Sequence, residues 1–381
     1  MTPLPRLAVG FACAVALIAA PAAATEIATG AADGPYQLTL CPPLKGALDR
    51  ARLEYRCVPS DSARETLQRI AAAPRQLGYV PLDSLLVEGP QLAGAKAFTR
   101  VRTGDVYECL FAVARNGDLK TYGDLAANAQ RLRFVLPPKA SASAASFGLV
   151  RQGDAAGLGR AGAVLHAAHI EEAVKLALSA EDTVAVFLAP ADPGSEVFKS
   201  IPRLGGHVIA MLDRAILRQQ IGGEKVYFAE ETPIAQARWL KAGRRIVTAC
   251  TPTVLVTGAP DRIGDPRARQ DHADMIQTVQ ALRPEALLPR QGTFKRLWTR
   301  TREVSGASVE RLLGLSERAR ERSRPYLDQA QEATGKAVEA TKPALERARQ
   351  WGAEAYEKAR QKGREVFEQG TEKPADPPKQ N

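Results

Sequence analysis

Ten consecutive residues, Val106 to Arg115 (VYECLFAVAR), are β-prone and mostly apolar, begin after Thr103-Gly104-Asp105 and stop at Asn116-Gly117. A run of this length between turn residues reads as a buried strand. A second such run, Arg245 to Gly258 (RIVTACTPTVLVTG), lies far downstream, and the chain between them alternates short apolar runs with helical patterns. That alternation is what a separate α/β lobe looks like. Two strands bracketing a lobe are the crossing strands of a hinge. Each carries one cysteine, Cys109 and Cys250, and their partnership tests the idea.

At 381 residues the chain is long enough for two domains of ordinary size and a remainder. A hydrophobic fraction of 45% permits two real cores. The formal charge of +10 would suit an anionic partner, yet half of it lies in the tail described below, and no nucleic-acid partner is expected. Residues 1–24 have the build of a secretory signal: Arg6, an apolar stretch from Leu7 to Ala20, and Ala22-Ala23-Ala24 as a cleavage site. The mature protein is expected to begin near Thr25, exported to the periplasm. Cys13 would leave with the signal, and four cysteines remain. An even count in an oxidising compartment favours disulfides over metal binding or catalysis. Cys41 and Cys57 are separated by a helix- or hairpin-sized loop, and the expected bridges are Cys41-Cys57 and Cys109-Cys250.

From Thr25 the chain offers a short strand ending in a glycine-bearing turn through Gly30 and Gly34. Leu38, Leu40, Leu44 and Leu48 would line a helix, but Pro42-Pro43 breaks such a pattern, so Tyr36 to Cys41 could instead be a strand. Leu53 to Pro59 alternates as a strand. Ser60-Asp61-Ser62 with Glu65 then signals a helix start. Leu77 to Leu82 is the next strand, and Asp83-Ser84 caps a further helical piece. Beyond the first crossing strand the expected elements are a helix over Tyr122 to Ala129, a strand over Leu132 to Leu136, and the small-residue loop Pro137 to Ser143 leading into a helix from Ala144. Strands over Ala163 to His166 and Thr183 to Leu188 flank a helix over Ile170 to Leu178. Asp271 to Leu282 is amphipathic and should pack back on the first lobe. This rhythm implies parallel pairing, with a ligand outside the carboxyl ends of the strands.

The order of parts resembles the type 2 periplasmic solute-binding proteins, most nearly the TAXI branch, the extracytoplasmic receptors of tripartite TRAP transporters. The residues that carry the resemblance are Thr29-Gly30, Gly34 and Tyr36 (a T-G-x-x-x-G-x-Y opening), Pro59 with Ser62, Leu77-Gly78 ending in Asp83, Tyr107-Glu108, and Asp124-Leu125. It covers about residues 26 to 288. The chain departs from the family at Asp61 in place of glycine, at Cys109 in place of proline, and at Lys139-Ala140-Ser141-Ala142-Ser143 in place of a Gly-Ser-Gly-Thr loop. A Gly-Thr-Tyr-Pro segment before the second crossing is absent. The resemblance implies a two-lobed type 2 fold with two crossing strands, a first lobe from 25–108 and 252–290, and a second lobe from 109–251. It also implies capture of a small organic solute for membrane transporter subunits, with no cofactor and no chemistry.

In that picture the cleft is lined by Thr29, Gly30 and Tyr36, by Ser60, Asp61 and Ser62, by Asp83, and by Lys139, Ser141 and Ser143. Hydroxyls, helix N-terminal N–H groups and one lysine suit a small organic anion. Lys139 is the sharpest candidate, because a cation at a helix start opposes the dipole there. His166 and His169 form an H-x-x-H pair with no third ligand nearby, and no metal is expected. No nucleophile elbow, Walker loop or H-E-x-x-H motif occurs, which argues against an enzyme.

From Thr293 the text becomes Ala, Glu, Lys, Arg and Gln, with 19 basic against 14 acidic residues from Lys295 onward, a net of +5. ALERARQWGAE (344–354) and AYEKARQKGRE (355–365) agree at seven of eleven positions. An 11-residue period is about 3.67 residues per turn and keeps one stripe on one face of a slightly right-handed coiled coil. The stripe is mostly alanine, so residues 291–371 read as a basic amphipathic helical tail that holds weakly to a membrane surface or a partner helix. Residues 372–381 read as disordered. The alternative to a transport receptor is a cell-envelope sensor or interaction scaffold on the same fold, docked through this tail.

Overall fold

A computed structural model describes residues 25–287, apart from Asp33, Ala95 and 237–242, together with 306–322 and scattered positions between 339 and 358. The signal reading of 1–24, most of the 11-residue repeat and the reading of 372–381 therefore lie outside the described residues.

Strand β1 (Thr25–Ala28) opens the first lobe, and the chain then turns through Gly30 at φ +73°, a left-handed conformation that glycine adopts without strain. A π-helical turn (Tyr36–Leu40) runs directly into α1 (Cys41–Arg50), so Tyr36 to Cys41 is helical and not a strand. Pro42 and Pro43 sit in the first turn of α1, where an N–H has no helical acceptor to lose. The wider turn before them is closed by the Cys41 N–H on the Tyr36 carbonyl. Leu40, Leu44 and Leu48 then face the core on one stripe, while Leu38 is exposed.

Next come β2 (Tyr55–Val58), α2 (Ala63–Ala72), β3 (Leu77–Pro81) and α3 (Leu82–Ala93). Ser62 caps α2 by accepting the Glu65 N–H at 3.0 Å, and the Glu65 carboxylate accepts the Asp61 N–H at 2.6 Å. The first crossing strand is β4 (Phe98–Ala114). It starts eight residues before the apolar run, because its early half is only partly buried and carries Arg100, Arg102 and Asp105.

The second lobe follows as α4 (Tyr122–Asn128), β5 (Arg133–Leu136), α5 (Ala142–Gly153), β6 (Ala163–His166), α6 (Ile170–Ala177), β7 (Thr183–Ala189), α7 (Glu196–Arg203) and β8 (His207–Ala210). Short α8 (Arg214–Leu217) and a small ribbon of β9 (Gln220–Ile221) and β10 (Glu224–Lys225) lead to β11 (Phe228–Ala235) and the second crossing strand, β12 (Arg244–Gly258). Helices α9 (Pro266–Gln280) and α10 (Pro284–Leu287) return to the first lobe, where Met275 and Val279 pack with Ile27, Leu44 and Leu255. A further helix, α11, spans 306–322.

The strands run in the order β2-β1-β3-β12-β4-β7-β5-β6, with β11 beside β12 and β8 beside β4. Strand β1 is parallel to β2 and β3, and β5 is parallel to β6 and β7. Strand β12 is antiparallel to β3 and β4. Its later half, Thr253 to Thr257, pairs with β3, and its earlier half, up to Cys250, pairs with β11. Strand β4 pairs with β12 over Phe98 to Cys109 and with β7 over Cys109 to Ala114. Each crossing strand thus belongs to both lobes. Cys109 faces Cys250 directly across them, and these two are bridged, as are Cys41 and Cys57.

Each lobe has its own core, Phe111, Phe187 and Phe198 forming the aromatic centre of the second. A third core joins the lobes behind the hinge, where Ile70, Val80, Leu82 and Leu85 meet Phe134, Phe147 and Val150. Among the described residues no helix is long and apolar enough to cross a membrane.

Candidate ligand-binding site

A cavity of about 560 Å³ lies between the lobes. Its first-lobe wall includes the turn at Gly30 and Gly34, Tyr36, and the start of α2 at Asp61 and Ser62. Its second-lobe wall includes the starts of α5, α6 and α7 at Ser141, His169 and Ser195. Strand ends lead into helix starts here, so four helices present their N-termini to one space. The first-turn N–H groups of a helix have no acceptor within it, and together with the dipole they favour negative charge.

Tyr36 connects the π-helical turn to both crossing strands. Its ring stacks on Tyr79 at 5.5 Å, and its hydroxyl donates to Glu108 Oε1 at 2.6 Å and lies 2.8 Å from Thr253 Oγ1. Burial, with Glu108 beside it, pushes the Tyr36 phenol well above its usual range. Glu108 is 7% exposed, and burial pushes its carboxyl up to about 7. Its other oxygen, Oε2, takes no hydrogen bond from any described residue, while the side chain forms part of the cavity wall.

Of the sequence-derived site residues, Gly30, Tyr36, Asp61, Ser62, Ser141 and Ser143 line the cavity, and Thr29, Ser60, Asp83 and Lys139 do not. Thr29 is fully buried, and its hydroxyl donates to the Gln37 side-chain carbonyl. Ser60 accepts the Gly30 N–H at 2.9 Å and lies 2.8 Å from Thr66 Oγ1, so it braces the turn instead of facing a guest. Asp83 is fully buried. It accepts the Ser84 N–H at 2.7 Å, the Tyr227 hydroxyl at 2.7 Å and the Ser146 hydroxyl, which ties α3 to α5 and the segment before β11. Burial raises its carboxyl above the usual range. Lys139, expected to supply the cation, is exposed on the loop and is absent from the wall, although its neighbours Pro137, Pro138 and Ser141 line it. Ser143 exchanges hydrogen bonds with the Leu188 backbone, its Oγ accepting the N–H at 3.0 Å.

His166 and His169 do not converge. His166 Nδ1 lies 2.9 Å from the Pro137 carbonyl, and His169 caps α6 by accepting the Glu172 N–H at 3.2 Å. Sequence reasoning missed Glu108, Glu171 and Ser195 as wall residues. Glu108 had a signal: it is the one acid inside the apolar run VYECLFAVAR.

No family model and no curated protein matches the chain. Similar solved structures include the periplasmic binding protein BugD, 11% identical, with 81% of this chain and 97% of that one covered and a TM-score of 0.41. MatC from Rhodopseudomonas palustris with bound malate is 13% identical, with 78% and 98% covered and a TM-score of 0.40. The GluR0 ligand-binding core in complex with L-glutamate is 10% identical, with 78% and 99% covered and a TM-score of 0.38.

Proposed function

We propose that this chain is an exported solute-binding protein that closes two α/β lobes on a small organic acid and passes it to a membrane transporter, with residues 1–24 serving export. The transporter is of the tripartite TRAP kind, as the TAXI resemblance implies. One observation carries the reading: the cavity draws its wall from both lobes and from the strands that join them, so a guest inside it touches every part that must move on opening. Its volume falls in the range of small-molecule sites. The N-termini of α2, α5, α6 and α7 supply donors for a carboxylate. Thermal-shift screening against carboxylic and amino acids tests the reading. A ligand at 100 times its Kd adds about 2.7 kcal/mol of stability, and no shift anywhere in a broad panel would sink it.

A second reading, an envelope sensor or interaction scaffold docked through the tail, draws on α11. That helix packs on the second lobe, with Leu313, Ser316 and Ala319 buried and Arg320 bonded to Asp154 at 2.8 Å. A partner holding the tail would then be held at that lobe. Silence in the ligand screen together with envelope cross-linking through the tail would favour this reading.

A further inference from the structure

We propose that the outward face of α11 is a docking surface for an anionic membrane, and that it holds the second lobe against the lipid headgroups. Helix α11 buries Leu313, Ser316 and Ala319 on the lobe. Arg311, Leu315, Arg318 and Arg322 turn away from it, all exposed, at i, i+4, i+7 and i+11. At about 100° per residue these four fall within an arc of about 60°, so they form one stripe along the helix. The acids are kept off it: Glu310, Glu317 and Glu321 stand about 90° or more from its centre. Glu310 and Glu317 are engaged by Arg214 of the lobe, at 2.6 and 3.2 Å, and Glu321 shares the recess beside α8 with Arg218. Arg320, the arginine on the lobe side, is engaged with Asp154 and Asp213. A segment of four arginines and three glutamates is thereby sorted by docking. Three arginines are left outward with no acidic partner among the described residues, Arg322 donating only to the Arg318 carbonyl.

A row of unpaired cations calls for negative charge, and Leu315, 48% exposed between Arg311 and Arg318, adds an apolar contact. A headgroup layer over acyl chains meets both demands: the guanidinium groups reach phosphates while their stems and the leucine enter the boundary. An acidic protein surface would meet only the first. Leu312, 36% exposed on the flank away from the acids, widens the apolar contact. The chain from Lys295 onward carries a net charge of +5, of the same sign as the stripe. Among the described residues no helix is long and apolar enough to cross a membrane, so this contact is peripheral. Three arginines at an anionic leaflet strengthen partitioning on the order of a hundredfold at low salt, without help from the alanine stripe of the repeat. The inference gives a face and a partner to the docking that the scaffold reading assigns to the tail, and it holds whether or not the cavity takes a guest.

The test is co-sedimentation of the full chain from Thr25 with vesicles of phosphatidylcholine alone or of equal parts phosphatidylcholine and phosphatidylglycerol. Wild-type protein should partition onto the anionic vesicles at least tenfold more strongly, and raising the salt should weaken it. The triple variant Arg311→Ser, Arg318→Ser and Arg322→Ser should lose tenfold or more. Protection of 306–322 from protease verifies that its α11 is still docked. An equal-charge control, Arg347→Ser, Arg349→Ser and Arg360→Ser, should lose less than threefold. Leu315→Ser should lose threefold or more, which a purely ionic contact with an acidic protein would not require. If the control loses as much as the α11 variant, bulk tail charge is responsible and the stripe is overturned. Wild-type protein that ignores both vesicles, or binds both equally, also overturns the proposal, and that comparison decides even where the variant does not stay docked.

Discussion

Glu108 is buried on the first crossing strand, and its protonation is therefore coupled to folding. Its carboxyl stands at about 7 in the folded chain against an ordinary 4.5. A carboxyl whose folded pKa is raised holds its proton more tightly folded than unfolded. Its stabilising contribution is complete below about 4.5 and is lost as pH rises through about 7. Titrating the empty protein by thermal melts from pH 5 to 8 should show this loss, on the order of 2 to 3 kcal/mol at most, and Glu108→Gln should remove that part of the slope. Asp83, also raised by burial, adds in the same direction. Because Asp83 accepts bonds from Ser84, Ser146 and Tyr227, Asp83→Ala strands two hydroxyls in the core. It should cost about 3 kcal/mol in chemical denaturation; a loss under about 1 kcal/mol would mean the tie between the lobes contributes little. Residue types alone place acids near a cleft but do not divide them: Asp83 lies buried away from the cavity wall, whereas Glu108 lines it.

At the scale of elements, α11 changes how the tail is understood. The basic, alanine-rich text reads as a solvated or membrane-facing helix, yet its first described segment is docked. Arg320 lies over the Tyr122 ring at 5.7 Å and bridges Asp154 and Asp213, whose side chains are 4% and 8% exposed. Arg214 meets Glu310 at 2.6 Å and Glu317 at 3.2 Å. Gly123 of α4 admits the backbone of α11, since a Cβ there would stand 1.9 Å from the Ser316 carbonyl oxygen. Gly123→Ala is expected to push α11 off the lobe, and limited proteolysis should then cleave within 306–322 while the two lobes stay resistant. Arg320→Ala leaves two carboxylates facing each other and should cost about 2 kcal/mol, reduced from fully buried pairs by the partial exposure of Arg320. The buried face is Leu313, Ser316 and Ala319, at three-residue spacing, while Leu312 and Leu315 are exposed. Composition averaged over the whole tail hid it.

For the molecule as a whole, two covalent links hold the frame. The Cys109-Cys250 bridge closes a span of 141 residues that contains most of the second lobe, and Cys41-Cys57 closes one of 16. Replacing either pair by serine should lower stability by about 2 to 4 kcal/mol. Loss of the hinge pair should also widen the range of lobe arrangements seen by small-angle scattering, whereas loss of the other should not. Non-reducing peptide mapping of protein made in an oxidising compartment is expected to find these two linkages.

The sequence by itself determined the two crossing strands, their cysteines, and most of the elements between them. Those features arise from local causes: apolar runs ended by turn residues, the Ser62 cap followed by Glu65, and helical periodicity. The helical course through Pro42-Pro43, the core shared between lobes, the docking of α11 and the roles within the cleft were decided by tertiary structure alone. Each depends on which surfaces meet at long range. Whether a serine braces a turn or faces a guest, and whether a carboxylate is paired or left waiting, follows from neighbours distant in the chain, and no local pattern encodes them.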